Sequence, residues 1–136
     1  MEPIIFEETE GEVYDTGAVR LRLLAQSPDQ LLTVTDTTVP PGFAGPIRHR
    51  HGTITDIFYI LEGELAFDLE GDWRSLGPGS FVLVPPGVVH TFANRGSAPA
   101  RFLNISLPSG NEHYLRDNRG FRPRWWRRPP STTSNQ

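Results

Sequence analysis

The chain of 136 residues has no cysteine and no lysine. Without cysteine there are no disulfides, no thiolate metal ligands and no cysteine nucleophile. Without lysine there is no Schiff-base chemistry and no lysine general base. All 13 basic side chains are arginine, and the only methionine is Met1. No apolar run approaches the ~20 residues that a membrane-spanning helix needs. The opening "MEPIIFEETEGE" is acidic and lacks the apolar stretch of a secretory signal, so a cytoplasmic protein is expected. A net charge of −3 gives no global attraction to nucleic acid. What remains for chemistry is His, Asp, Glu, Tyr, Ser, Thr and Arg.

What is present is a globular composition, with 37% apolar and 21% charged residues. The length suits one domain that can bury a core of its own. Turn signals recur along the chain: "PPG" at 40–42 and 85–87, "EG" at 70–71, "GPG" at 77–79 and "NRGSAP" at 94–99. Between them lie short segments of period two. Val19, Leu21 and Leu23 alternate with Arg20 and Arg22, and Leu65, Phe67 and Leu69 with Glu64, Asp68 and Glu70. Leu103, Ile105 and Leu107 alternate with Asn104 and Ser106. In "FVLV" at 81–84 both alternating sets are apolar, which predicts burial on both faces. Short strands at this spacing predict an all-β sandwich or barrel. One short helix is expected, from about Asn111 to Asp117.

The chemistry gathers in "HRHGTITDIFYILEG", residues 49–63. If 47–51 is a strand, His49 and His51 share a face, because side chains alternate. "GTIT" would turn the chain and bring Asp56 alongside on the next strand. The best fourth member is His90 in "PPGVVHTFAN", directly after a Pro-Gly turn, with Phe92 and Asn94 on its face. Neutral imidazoles with one carboxylate suit Fe, Mn, Co, Ni, Cu or Zn.

Two motifs carry a family resemblance. The first reads Gly42, "FAGPIR", His49, Arg50, His51, "GTIT", Asp56, "IFYILE", Gly63; the second reads Gly79, "SFVLV", Pro85, Pro86, Gly87, "VV", His90, "TFA", Asn94. Together they resemble the paired motifs of the cupins, and with their flanks they cover roughly 30–107. The family's first gap is usually five residues and here is six; its carboxylate is usually Glu and here is Asp56. The resemblance implies a single cupin β-barrel or jelly roll of short antiparallel strands over 1–120, with a short C-terminal helix. Residues 121–136 form a separate basic tail. It also implies one divalent transition metal held by His49, His51, Asp56 and His90. In quercetinase-like members the carboxylate is in addition the base, a role that would fall to Asp56.

The expected function is a metal-dependent enzyme acting on an oxygen-rich small molecule, of a dioxygenase kind. A zinc-type isomerase, cyclase or dehydratase and a non-enzymatic ligand-binding cupin are the alternatives. His113 is expected in an ordinary structural role, and Glu62 and Glu64 in solvent. In the tail, Arg119, Arg122, Arg124, Arg127 and Arg128 crowd around Trp125 and Trp126. An acidic chain with one basic tail favours docking on the barrel or on a partner subunit over nucleic acid. A homodimer is expected, helped by "EPIIFEE", which has strand character, and by the two tryptophans.

Overall fold

The computed structural model describes residues 3, 5–17, 19–26 and 32–108. The helix expected at 111–117, His113 and the Arg/Trp tail lie outside the described residues. Within them the chain forms nine strands and no helix. These are β1 (Val13–Asp15), β2 (Arg20–Gln26), β3 (Thr33–Val39), β4 (Thr55–Glu62), β5 (Leu65–Leu69), β6 (Asp72–Leu76), β7 (Phe81–Val84), β8 (His90–Ala93) and β9 (Ala100–Leu107). They pair antiparallel in a six-stranded sheet of order β1-β2-β3-β9-β4-β7 and a three-stranded sheet of order β6-β5-β8.

The turns follow from residue types. β5 and β6 are joined by Glu70 and Gly71, both at positive φ (55° and 91°), between the paired residues Leu69 and Asp72. Two positive-φ residues make the tight hairpin that matches the right-handed strand twist. Asp68 Oδ1 accepts the Gly71 N–H at 2.7 Å and closes the turn. Gly45 answers a different need. Its φ is +85°, and a Cβ there would stand 1.7 Å from the Phe92 carbonyl oxygen. Only glycine lets this loop lie so close over β8.

The core lies between the sheets. Val39, Phe58, Ile60 and Phe102 face it from the larger sheet, and Leu65, Phe67 and Phe92 from the smaller. Phe58 is the hub of an aromatic cluster, with ring centroids 5.1 Å from Phe67, 5.5 Å from Phe92 and 6.0 Å from Phe102. These tilted, offset contacts are the favourable arrangement for aromatic rings. The alternation of Val19, Leu21 and Leu23 holds, and all three are buried.

Three expectations change. Residues 47–51 do not form a strand; only His49 makes a single bridge, to His90. A proline and Gly45 precede the segment, and it meets β8 at one point only. β7 is not buried on both faces: Val82 and Val84 are inside, whereas Phe81 is 60% and Leu83 48% exposed. It is an edge strand, and nothing among the described residues packs over its outer side. Among the described residues before Val13, the N-terminal segment forms no strand either. Its backbone turns locally, with Glu10 N–H donating to Glu7 O at 2.9 Å.

Candidate metal centre

The four residues singled out by the sequence converge. One ligand atom from each of His49, His51, Asp56 and His90 lies within 4.8 Å of the others. They arrive by three routes. Asp56 is the second residue of β4 and His90 the first of β8, so the two sheets each supply one. His49 and His51 come from the connecting segment, which is bolted to β8. His49 and His90 exchange both backbone bonds, at 3.1 and 2.8 Å, and His51 O accepts Gly87 N–H at 2.8 Å. The Thr91 hydroxyl donates to Pro46 O at 2.6 Å. Outside, Arg48 Nε meets the fully buried Asp68 carboxylate at 3.2 Å. This ion pair ties the connecting segment to β5.

The histidine tautomers are set by the backbone. His49 Nδ1 lies 2.7 Å from Ile47 O and His90 Nδ1 2.9 Å from Val88 O. A carbonyl can only accept, so each Nδ1 carries a proton, and the neutral imidazole then has its lone pair on Nε2, free to bind a metal. The Nε2 atoms of His51 and His90 are buried and lack a well-formed hydrogen bond, although Asp56 Oδ2 stands 3.2 and 3.5 Å from them. Buried polar atoms are nearly always satisfied. Lone pairs left facing one another around a carboxylate oxygen are what a cation requires, so the residues present fit a divalent metal.

Asp56 itself is held from behind. Its Oδ1 accepts from Asn104 Nδ2 at 3.0 Å and from the Ser106 hydroxyl at 3.1 Å. This leaves Oδ2 as the atom turned to the imidazoles. The carboxylate, one methylene shorter than glutamate, thus still reaches the cluster. Burial by itself would push the Asp56 carboxyl up, but His51, His90 and Asn104 outweigh it and hold it well below the usual carboxylate range. Burial lowers the His49 imidazole to about 4, reinforced by its neighbours His90 and His51 and only partly opposed by the Ile47 carbonyl and Asp56. Both directions favour the forms that bind metal: anionic carboxylate and neutral imidazole.

The cluster opens into a cavity of about 40 Å³ between the sheets. Phe43, Phe58, Phe92 and Phe102 give its apolar wall; Thr35, Thr37 and Asn104 give it polar points. Phe58, Phe92 and Phe102 belong at once to this wall and to the core. Ile60 and Phe67 are core. Asn94 does not enter the cluster: its amide donates to Ala98 O at 2.9 Å and its oxygen accepts Gly96 N–H at 3.0 Å, which shapes the loop after β8.

Sequence reasoning missed Asn104, Ser106, Thr35 and Thr37. The alternation in β9 was visible, but it is the polar pair Asn104 and Ser106 that faces the site. The one available signal was the register: Asn104 and Ser106 are two polar residues spaced by two on a strand whose other residues, Arg101 apart, are apolar.

An antiparallel two-sheet jelly roll with this cluster defines a cupin. The cupin domain profile matches residues 35–106, and the chain belongs to that family. It is 32% identical over 116 residues to quercetin 2,3-dioxygenase of Bacillus subtilis, covering 84% of this chain and 34% of that protein. It is 30% identical over 76 residues to an uncharacterized protein of Methanocaldococcus jannaschii, covering 56% of this chain and 60% of that one. The chain thus spans less than two thirds of the length of either relative. Among solved structures, KdgF from Halomonas sp. superposes with a TM-score of 0.71 at 20% identity, covering 82% of this chain and 99% of that one. No described helix is long and apolar enough to cross a membrane.

Proposed function

We propose that this protein is a metal-dependent cupin enzyme of a dioxygenase kind, acting on a small, oxygen-rich molecule. The observation that carries the reading is the set of buried, unsatisfied imidazole nitrogens around Asp56 Oδ2. The likeness to quercetin 2,3-dioxygenase supports the reaction class. His49, His51, His90 and Asp56 would hold the ion. A redox-active divalent metal there would supply polarisation of a ligand oxygen and electron exchange with dioxygen.

The chain's own residues do the rest. The phenylalanines exclude water and leave an enol or enediol little choice of orientation. Thr35, Thr37 and Asn104 offer hydrogen bonds to its oxygens. Asp56 is the proton acceptor of the proposal. Its low proton affinity confines that role to a substrate hydroxyl already made acidic by the site. The cavity, about 40 Å³ and walled mainly by aromatic rings, favours a compact substrate.

The test loads the protein separately with Fe, Mn, Co, Ni, Cu and Zn. Dioxygen uptake is then followed with small enols, enediols and β-dicarbonyls, beside quercetin. Metal-dependent uptake that is lost in His90→Ala supports the reading. Retention of none of the six metals refutes it. Tight zinc binding with no uptake under any metal moves the protein to Lewis-acid chemistry such as isomerisation.

A further inference from the structure

The smaller sheet carries a hollow on its outer side. Strand register sets Trp73, Asp68 and Thr91 in one row across β6, β5 and β8, and pairs Ala66 with Ala93 in a parallel row. Phe67 and Phe92 lie between these rows and face the core, so the rows themselves face outward. Alanines beside an indole leave a depression. One wall of it is the 42–48 segment. Gly42 N–H donates to Asn94 O at 3.0 Å and Asn94 N–H to Phe43 O at 2.9 Å, which ties that segment to the end of β8. The resulting groove has about 510 Å³, a size in the range of small-molecule sites.

Two arginines, Arg48 and Arg95, line it together with Asp68, Trp73, Thr91 and Ala93. Each guanidinium is held from one side. Asp68 is fully buried; its Oδ1 accepts Gly71 N–H at 2.7 Å and its Oδ2 stands 3.2 Å from Arg48 Nε. A pair made through Nε leaves the outer N–H groups of Arg48 for a second acceptor. The Arg95 guanidinium lies over the Trp73 ring, its central carbon 3.7 Å from the centroid. That contact uses the charge of Arg95 and none of its N–H donors. Among the described residues, Arg48 has no ion pair other than the one with Asp68, and no acid faces Arg95.

We propose that this groove is a second ligand site, separate from the metal centre, and that it takes a small organic carboxylate. The planar N–H forks of Arg48 and Arg95 match the two oxygens of a carboxylate. The apolar part of the ligand lies along Trp73 and Ala93. Charge selects among anions. Arg48, Arg95 and Asp68 leave the groove with two positive groups and one negative, an excess that a monoanion balances and a phosphate dianion overshoots. Because Asp68 and Trp73 already hold the two arginines, binding costs little side-chain freedom. None of the four candidate metal ligands lines this groove. Phe43 and Pro46 line both it and the metal cavity, so the two sites share a wall and open on different sides of it.

Trp73 reports on the groove directly. The chain has three tryptophans, so in full-length protein carrying Trp125→Phe and Trp126→Phe it is the remaining indole. Its emission is titrated with sodium acetate, sodium benzoate and inorganic phosphate, against sodium chloride at matched ionic strength. The titration is run on metal-loaded protein and on protein stripped with a chelator that is then dialysed away. A saturable response to a carboxylate is expected in both metal states, with phosphate weaker. Calorimetry gives the dissociation constants of the variants, whose substitutions also alter the surroundings of Trp73. Arg95→Gln should weaken carboxylate binding on the order of 10-fold or more, as for loss of hydrogen bonds to a charged group. Arg48→Lys keeps a charge beside Asp68 but loses the fork, and should weaken it as well. Circular dichroism and the melting temperature establish that both variants are folded. The absence of any saturable carboxylate response overturns the proposal, as does an unchanged affinity in folded Arg95→Gln. A response that vanishes with the metal places the carboxylate on the ion and overturns the separate site. Phosphate binding tighter than either carboxylate overturns the choice of ligand.

Discussion

Ser106→Ala removes one hydroxyl that touches no substrate and yet should weaken metal binding. The Ser106 hydroxyl is buried and donates to Asp56 Oδ1 at 3.1 Å. The other donor to that oxygen, Asn104 Nδ2 at 3.0 Å, divides itself between Asp56 and the Ile57 carbonyl, also at 3.0 Å. Without Ser106 the carboxylate keeps one shared donor and can rotate, so Oδ2 no longer stands at 3.2 and 3.5 Å from the two imidazoles. A hydrogen bond to a charged acceptor is worth about 1.5–3 kcal/mol. Loss of a group that orients a metal ligand typically costs about 10–100-fold in affinity. The assay is a competition titration against a chromophoric chelator, with the melting temperature taken on the same samples. At about 4 °C per kcal/mol for a domain of this size, the metal-free variant should melt roughly 6–12 °C lower. Ser106→Thr, which keeps the hydroxyl, should recover most of the affinity. Wild-type affinity in a folded Ser106→Ala protein would refute the reasoning, because Oδ1 would then have no part in aiming Oδ2.

Other outcomes follow from the same geometry. His90→Ala should abolish stoichiometric metal binding, measured by elemental analysis, while Asp56→Ala should weaken it and depress any activity further than the metal loss explains. Phe58→Ala should cost about 3–5 kcal/mol in denaturant unfolding, as expected for a buried aromatic, and should enlarge the cavity enough to admit bulkier ligands. Gly45→Ala places a Cβ 1.7 Å from a backbone oxygen at φ +85° and should fail to give folded protein, whereas Gly79→Ala, with open space around it, should cost only the strain of its φ. Chelator treatment should lower the melting temperature, and restoring ion at about 100 times its dissociation constant should return roughly 2.7 kcal/mol.

Local rules served well where one rule decided. Period two located the strands, and Pro-Gly turns located their ends. The two motifs that resemble those of the cupins implied one site for His49, His51, Asp56 and His90, and the structure brings the four together. What stayed hidden depended on neighbours distant in sequence. That β7 is an edge strand is a matter of sheet order, so the apolar Phe81 and Leu83 were taken for interior. The holders of Asp56, Asn104 and Ser106, sit about 50 residues away and are linked to it only through the β4–β9 register. Asp68 looked like the solvent side of β5, yet it is fully buried beneath Arg48. No pattern within β5 reveals that a loop some 20 residues earlier folds over it.

The distribution of the four candidate ligands has a mechanical meaning. Asp56 belongs to one sheet, His90 to the other, and His49 and His51 to the strap that crosses between them. Anything that draws their ligand atoms together therefore works as a clasp on the sandwich. Undoing it leaves the two leaves joined at this end by aromatic rings, by the strap's backbone bonds to His90 and Gly87, and by the Thr91 and Arg48 contacts. Hydrogen exchange should then speed up first at His49, His51 and His90, around the hinge of the strap, before the far ends of β4 and β9 loosen. An ion bound there would slow this exchange, an effect measurable without any substrate in hand.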